Sequence, residues 1–499
     1  MPDGHNTDHK QMNPLIGSIA SALNTDDIES RIRRSPLDGI DDVSALSTEN
    51  RRDLLDKMQE YLFEPTTMTL HLCTRLFRMI KRGYMSRDPR LLAVRKQSLG
   101  ISNYGGSQIS DLPWLDSYAK CMRVDGETGT GKTHEVRNAL RIIPNPIIHQ
   151  ESRECGWAHF VQITWLYVSM SHDGSLGGLL LNVLTSIDQT IGTKYSYQPS
   201  LSRMSNEKLA VHVGIILRNH AVGVLVFDEI QERNFTGAHG ELAALFFLRL
   251  LNFGIPLLLM GNPRGLAALD QFSQDVRRTG SAGSINFEPH DIGDFDWTNC
   301  IAPRLWKYYV LPDAMTFSDP EGSILFRYSG GIRDYASRII IAAQHLALDL
   351  GDTALTEEHL EMVYRGSDYL DKDRDMIEGF AQRDPMRLMH FKDVRVQHFR
   401  RKWEEMRHAP VDAYLHESGA RSPAPSSQEP SDPCMSAPSK PVRTRHKVEM
   451  ATAKGIATRR NNEITKRTGV RDSCDKGDMR NGGLQDFLIA GLDELREDE

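Results

Sequence analysis

The chain has 499 residues, 39% hydrophobic and 25% charged, with a formal net charge of -7; it exceeds what one hydrophobic core usually holds, and its charge excludes a globally basic nucleic-acid binder. Six cysteines stand singly at Cys73, Cys121, Cys155, Cys300, Cys434 and Cys474 without zinc-site spacing, which points to a reducing compartment. No window approaches the roughly 20 apolar residues of a membrane helix, and the start "MPDGHNTDHKQMNP" lacks a signal-peptide pattern, so a cytoplasmic protein without a membrane partner is expected.

Residues 1–60 are polar and acidic, interrupted by "SPLDGIDD", and read as an appendage for partner binding. Its one helix lies in "TENRRDLLDKMQEYL", where Leu54, Leu55, Met58 and Leu62 recur at helical spacing. In "TTMTLHLCTRLFRMIKRGY" Leu72, Leu76, Met79 and Ile80 form an apolar stripe that Gly83 and Pro89 are expected to end. The apolar runs "AKCMRVD", "FVQITWLYVSM", "AVGVLVFDE" and "IPLLLMGNP", then a shorter "GSINFEP", alternate with helical segments. That alternation predicts an α/β domain over 61–315, a parallel five-stranded sheet with crossover helices. Arg123 and Asp125 sit oddly in the first run, because parallel strands are usually apolar throughout.

Residues 316–407 read as a small helical lid with following helices, and "YASRIIIAAQHLALDL" places Ile339, Ala343, Leu346 and Leu350 on one side. Beyond Arg407 the Pro/Ser-rich "ESGARSPAPSSQEPSDPCMSAPSKP" carries too little apolar surface to order itself. Residues 408–482 therefore read as a disordered linker. It includes a cationic arm, Lys440, Arg443, Arg445, Lys447, Arg459, Arg460, Lys466 and Arg467, suited to DNA through counterion release; a solvated basic linker is the alternative. In 483–499, Leu484, Leu488, Leu492 and Leu495, with Phe487 beside them, form a short amphipathic segment that would fold on a partner's groove. The alternative is a frayed end.

"GETGTGKT", Gly126 to Thr133, satisfies G-x-x-x-x-G-K-[ST] after a strand and before the helical run "THEVRNALRII". In that pattern the backbone N–H groups of Gly126, Glu127, Thr128, Gly129, Thr130 and Gly131 cradle the phosphates of ATP. Lys132 reaches the terminal phosphates and Thr133 ligates Mg2+. "VGVLVFDEIQ" ends a strand in Asp228, a magnesium ligand, and Glu229, which would polarise the attacking water; the alternative is an acidic helix start. Asn262, at the end of "LLLMGNPRG", is placed to orient that water, against a plain Asn-Pro turn. Arg277 and Arg278 in "QDVRRTGSAG" are candidate arginine fingers for a neighbouring copy, and Arg333 in "YSGGIRDYA" is a phosphate sensor in its own chain. For Arg277 and Arg278 the alternative is a solvated surface residue, and for Arg333, also a candidate only, it is a helix-capping turn with a surface arginine. Together the features describe an AAA+ ATPase: a P-loop domain, a helical lid, a helical N-terminal appendage and a disordered C-terminal tail.

From "FRMIKRGYMSRDPR" through "GETGTGKT", "YVSMSHDGSLGGLLLNVLTSID", "VGVLVFDEIQE", "NFGIPLLLMGNPRG" and "VRRTGSAGSINFEP" to "RLWKYY", about residues 60–350, the chain resembles the TnsC transposition regulators, relatives of TniB and MuB of bacterial transposons. The resemblance implies an ATP-dependent homo-oligomer, ring or helical filament, on double-stranded DNA, released by hydrolysis. It implies a TnsB-type transposase, a TnsA-type endonuclease and a TniQ/TnsD-type target selector as partners, and a bacterial, nucleoid-associated location. DNA contacts are then expected in "HQESRECGWAH" and "SMSHDGSLGG", at Arg153, Ser171, His172 and Ser175, although neither loop is strongly basic. A helicase loader or a STAND-type signalling ATPase would share the same nucleotide residues.

Overall fold

The computed structural model describes residues 12–24, 26–106, 119–172, 174–235, 237–271 and 277–408. The chain divides at Ser418, and all the described residues fall in the first unit, Met1–Ser418. The cationic arm and the segment 483–499 lie outside the described residues.

Five strands form one parallel sheet in the order β4-β5-β6-β1-β7: β1 Cys121–Gly126, β4 Trp165–Ser169, β5 Val224–Ile230, β6 Leu257–Gly261 and β7 Ser284–Phe287. All five expected runs contribute, but "FVQITWLYVSM" splits. Phe160–Gln162 (β3) turns aside to pair antiparallel with Ile147–His149 (β2), and only Trp165–Ser169 joins the large sheet. The break is at Thr164, whose hydroxyl donates to the Pro144 carbonyl at 2.5 Å and whose N–H donates to Asn145 at 3.0 Å.

The central strands β1, β5 and β6 are buried on both faces, which is why they read as nearly unbroken apolar runs, whereas the edge strands β4 and β7 bury alternate residues. Leu225, Phe227, Leu257 and Leu259 pack into one cluster with the helices Leu176–Ile191, Asn206–Asn219 and Gly237–Asn252. Val224, Val226, Leu258 and Met260 pack into another with the helices Thr67–Met85 and Lys132–Arg141. The two odd residues of β1 are reconciled by partners: Arg123 pairs with Asp270 at 2.6 Å, and Asp125 accepts from the Ser284 hydroxyl at 3.2 Å.

A third cluster holds the lid, whose main helix is Arg333–Leu350. Leu54, Leu55, Met58 and Leu62 belong to this cluster, so the helix Thr48–Tyr61 is built into the lid's core. Leu15, Ile16, Ile19, Ile28 and Ile32 are likewise buried beside the helix Thr67–Met85. The described part of 1–60 is therefore folded into the cores, unlike the appendage read from its polar composition. On the lid helix the buried stripe runs through Ala336, Ile339, Ile340, Ala343 and Ala347, and Leu350 is exposed. Gly83 does not end its helix, which continues to Met85. A Cβ there would lie 2.4 Å from the Pro256 ring, so Gly83 permits a close approach instead.

Candidate functional site

At the carboxyl end of β1 the chain turns through Gly126, Gly129 and Gly131, with φ of +152°, +79° and +91°. These conformations strain any residue with a Cβ, and one on Gly126 would lie 2.0 Å from the Phe287 carbonyl oxygen. The turn opens the helix Lys132–Arg141, whose first N–H groups have no partner within the helix. Thr128, Gly129, Gly131, Lys132 and Thr133 line a cavity of about 550 Å³. Glu127 and Thr130 are buried, and the Thr130 hydroxyl donates to the Glu127 carbonyl at 2.8 Å. Lys132 folds back to donate to the carbonyls of Gly126 at 3.0 Å and Glu127 at 2.7 Å, and burial lowers its pKa.

Asp228 and Glu229 reach the same cavity from β5, which is separated from β1 by β6. The pairing of β5 with β6 is irregular between Phe227 and Ile230, and Glu229 is left-handed at φ +62°. That conformation costs an L-residue free energy and tends to persist where function requires it. Asp228 accepts three bonds: from the Thr133 hydroxyl at 2.9 Å, from the N–H of Glu229 at 2.7 Å, and from the Tyr167 hydroxyl. Burial and the neighbouring Asp228 push the Tyr167 hydroxyl pKa up, so it stays a donor. Tyr167 carries no signal in the sequence; only the pairing of β4 with β5 brings it there.

Asn262 also lines the cavity, while its Oδ1 caps the short helix Pro263–Ala267 by accepting from the N–H of Gly265 at 2.7 Å. It thus makes the turn that was the alternative reading and still borders the site. Arg333 borders it too, but its guanidinium is engaged by the fully buried Glu135 and by the Glu64 carbonyl at 2.9 Å. Of the two finger candidates, neither lines the cavity: Arg277 is exposed and Arg278 donates to the Asn252 side chain. The lining also includes the apolar side chains of Met58, Leu62, Ile301 and Leu305. The first two showed as a helical stripe in the sequence but were assigned to an appendage.

The loop residues proposed to meet DNA divide. Arg153 and His172 are exposed. Ser171 is buried and donates to the Ser175 carbonyl at 2.9 Å, while Ser175 caps the helix Leu176–Ile191 by accepting from Gly178 at 3.0 Å.

The cavity suits a magnesium–nucleotide by its donor set: backbone N–H groups at a helix start, an amine, a hydroxyl and a carboxylate. Among the described residues no group of three or more His, Cys, Asp or Glu side chains is assembled for a metal. A cation shared between phosphates, one hydroxyl and one carboxylate needs none.

Residues 115–269 match the family model described as an AAA domain, and no curated protein matches the chain. Among solved structures, the chain is similar to the ORC2 protein of Aeropyrum pernix in ADPNP-ADP complexes, with 14% identity over 57% of this chain and 71% of that one and a TM-score of 0.36. It is similar to the Aeropyrum pernix ORC1 protein in complex with DNA (15% identity, 58% and 70% covered, TM-score 0.36) and to Drosophila ORC bound to DNA (12%, 68% and 82%, TM-score 0.31). The fold is an AAA+ P-loop fold, with a five-stranded parallel sheet and helical regions.

Proposed function

We propose that this AAA+ chain is an ATP-hydrolysing switch that assembles on target duplex DNA as a ring or filament and regulates transposition in the manner of the TnsC proteins it resembles. The observation that carries the nucleotide reading is the 2.9 Å bond between Thr133 and Asp228. It joins the two residues assigned to magnesium across the intervening strand, beside Lys132 and Glu229. A bound magnesium–triphosphate supplies the phosphoanhydride to be cleaved and the cation that offsets its charge.

Gly126 to Gly131 cradle the phosphates, and Lys132 exchanges its two carbonyl partners for the terminal phosphates. Met58, Leu62, Ile301 and Leu305 offer the base an apolar wall. Glu229 accepts the proton of the attacking water, and the Asn262 amide orients that water. Arg277, exposed and outside its own cavity, is the better placed finger for a neighbouring copy. Arg333, held by Glu135, joins the lid to the loop helix, and its sensing role requires release from that pair. The transposition reading rests on the sequence phrases of residues 60–350, with transposase, endonuclease and target selector as the implied partners. Exposed Arg153 and His172 remain the candidate DNA contacts in the core.

Phosphate release by the full chain, compared with Glu229→Gln and Lys132→Ala, tests the site. Glu229→Gln is expected to bind ATP but hydrolyse it about a hundredfold more slowly, and Lys132→Ala to lose nucleotide affinity. Turnover by Glu229→Gln at the unmodified rate contradicts the assignment.

A further inference from the structure

Glu127, the second residue of the phosphate loop, places a carboxylate inside a loop built to attract anions. Its side chain is 2% exposed, and both oxygens are taken by Arg395, Nε to Oε1 at 2.8 Å and Nη2 to Oε2 at 3.0 Å. Such a bidentate pair fixes orientation as well as charge. Arg395 lies 268 residues further on, immediately before the helix Val396–His408.

The contact belongs to a wider grip. Asp393 accepts from the Thr128 hydroxyl at 2.8 Å, so two consecutive loop residues are held by the same stretch. Arg395 also donates to Asn286 on β7 at 2.9 Å. One and two turns along, His398 and Lys402 meet Glu288 at 2.6 and 2.8 Å. Glu288 directly follows β7, whose Phe287 is in register with Gly126 at the start of the loop. From the lid side, the N–H of Asp334 donates to the Gly129 carbonyl at 3.1 Å. The loop is thus pinned from the lid at Gly129 and from the segment 393–402 at Glu127 and Thr128.

We infer that Arg395 is a positioning residue of the nucleotide site: by neutralising and orienting Glu127 it holds the phosphate loop in its anion-accepting form. The inference rests on the nucleotide reading above. Burial opposes the charge of Arg395, and the bond and charge of Glu127 together with the charges of Glu288 and Asp125 offset it, so that the guanidinium pKa is raised. Without Arg395, Glu127 is a buried, unpaired carboxylate under the phosphates, a group that either repels the ligand or rearranges the loop.

Steady-state ATP hydrolysis by the full chain tests this, with thermal unfolding recorded for every variant. Arg395→Met is expected to raise KM for ATP by about tenfold or more while kcat changes by less than about threefold. Glu127→Gln/Arg395→Met, which removes both charges, is expected to return KM to within about threefold of the unmodified chain. A KM for Arg395→Met equal to that of the unmodified chain overturns the inference. So does a double variant as defective as the single one, because Arg395 would then act through something other than Glu127. If Arg395→Met does not fold, the double variant decides alone: folded and binding ATP it supports the inference, unfolded or folded without ATP affinity it overturns it. An unmodified chain with no affinity for ATP overturns the nucleotide reading itself, a result distinct from either.

Discussion

At the scale of single residues, the site turns on how Asp228 and Glu229 are presented. Three donors fix the Asp228 carboxylate, whereas Glu229 is exposed and left-handed at the irregular end of β5. Glycine tolerates that φ, so Glu229→Gly is expected to raise stability by about 1 kcal/mol while abolishing hydrolysis; a lower urea midpoint than that of the unmodified chain contradicts it. His134, next to Thr133, is pushed down to about 4 by burial and by Arg333, Arg34 and Arg137. It is neutral in the folded chain and gains a proton on unfolding below its ordinary value of 6.5. Its contribution to stability is therefore complete above pH 6.5 and is lost as the pH falls towards 4. His212 and His220 are lowered by burial too, so part of the acid loss is theirs. Urea midpoints across that window are expected to fall less steeply in His134→Gln than in the unmodified chain, and identical slopes would count against the buried neutral ring. At this scale the residues from Gly126 to Thr133 and the Asp228–Glu229 pair were legible as short contiguous patterns, and the fold brings them to one cavity. Tyr167 and Arg395 were not, since each reaches the site through a contact between distant segments.

At the scale of elements, the central strands β1, β5 and β6 could be read because burial on both faces leaves nearly uninterrupted apolar runs. Their order could not, because nothing local in "IPLLLMGNP" says that β6 lies between β5 and β1. The N-terminal helix was misplaced for a related reason: its stripe of Leu54, Leu55, Met58 and Leu62 is clear, but the surface it covers is the lid nearly 300 residues away. Leu55 is fully buried, and Leu55→Ala is expected to cost about 2–5 kcal/mol through lost transfer energy and a cavity. A loss below about 0.5 kcal/mol in chemical unfolding, the range of a surface substitution, would show the helix to be a detachable appendage after all. Because Met58 of the same helix and Leu62 just after it line the cavity, ATP affinity is expected to fall with it.

At the scale of the whole molecule, the cavity is bordered by the sheet ends, the helix Thr48–Tyr61 and the lid helix, so a ligand there touches elements far apart in sequence. Such a site is suited to convert occupancy into a change of arrangement, the output proposed for an assembly on DNA. Arg277 lies outside the cavity of its own chain, as a residue completing a neighbour's site would. The most direct measurement is electron microscopy of the full chain with long duplex DNA at moderate salt, with ADP, with a non-hydrolysable ATP analogue and without nucleotide. Ordered rings or filaments along the DNA with the analogue, absent with ADP or no nucleotide, are the expected result. A chain that remains monomeric and off the DNA in all three conditions contradicts the proposal.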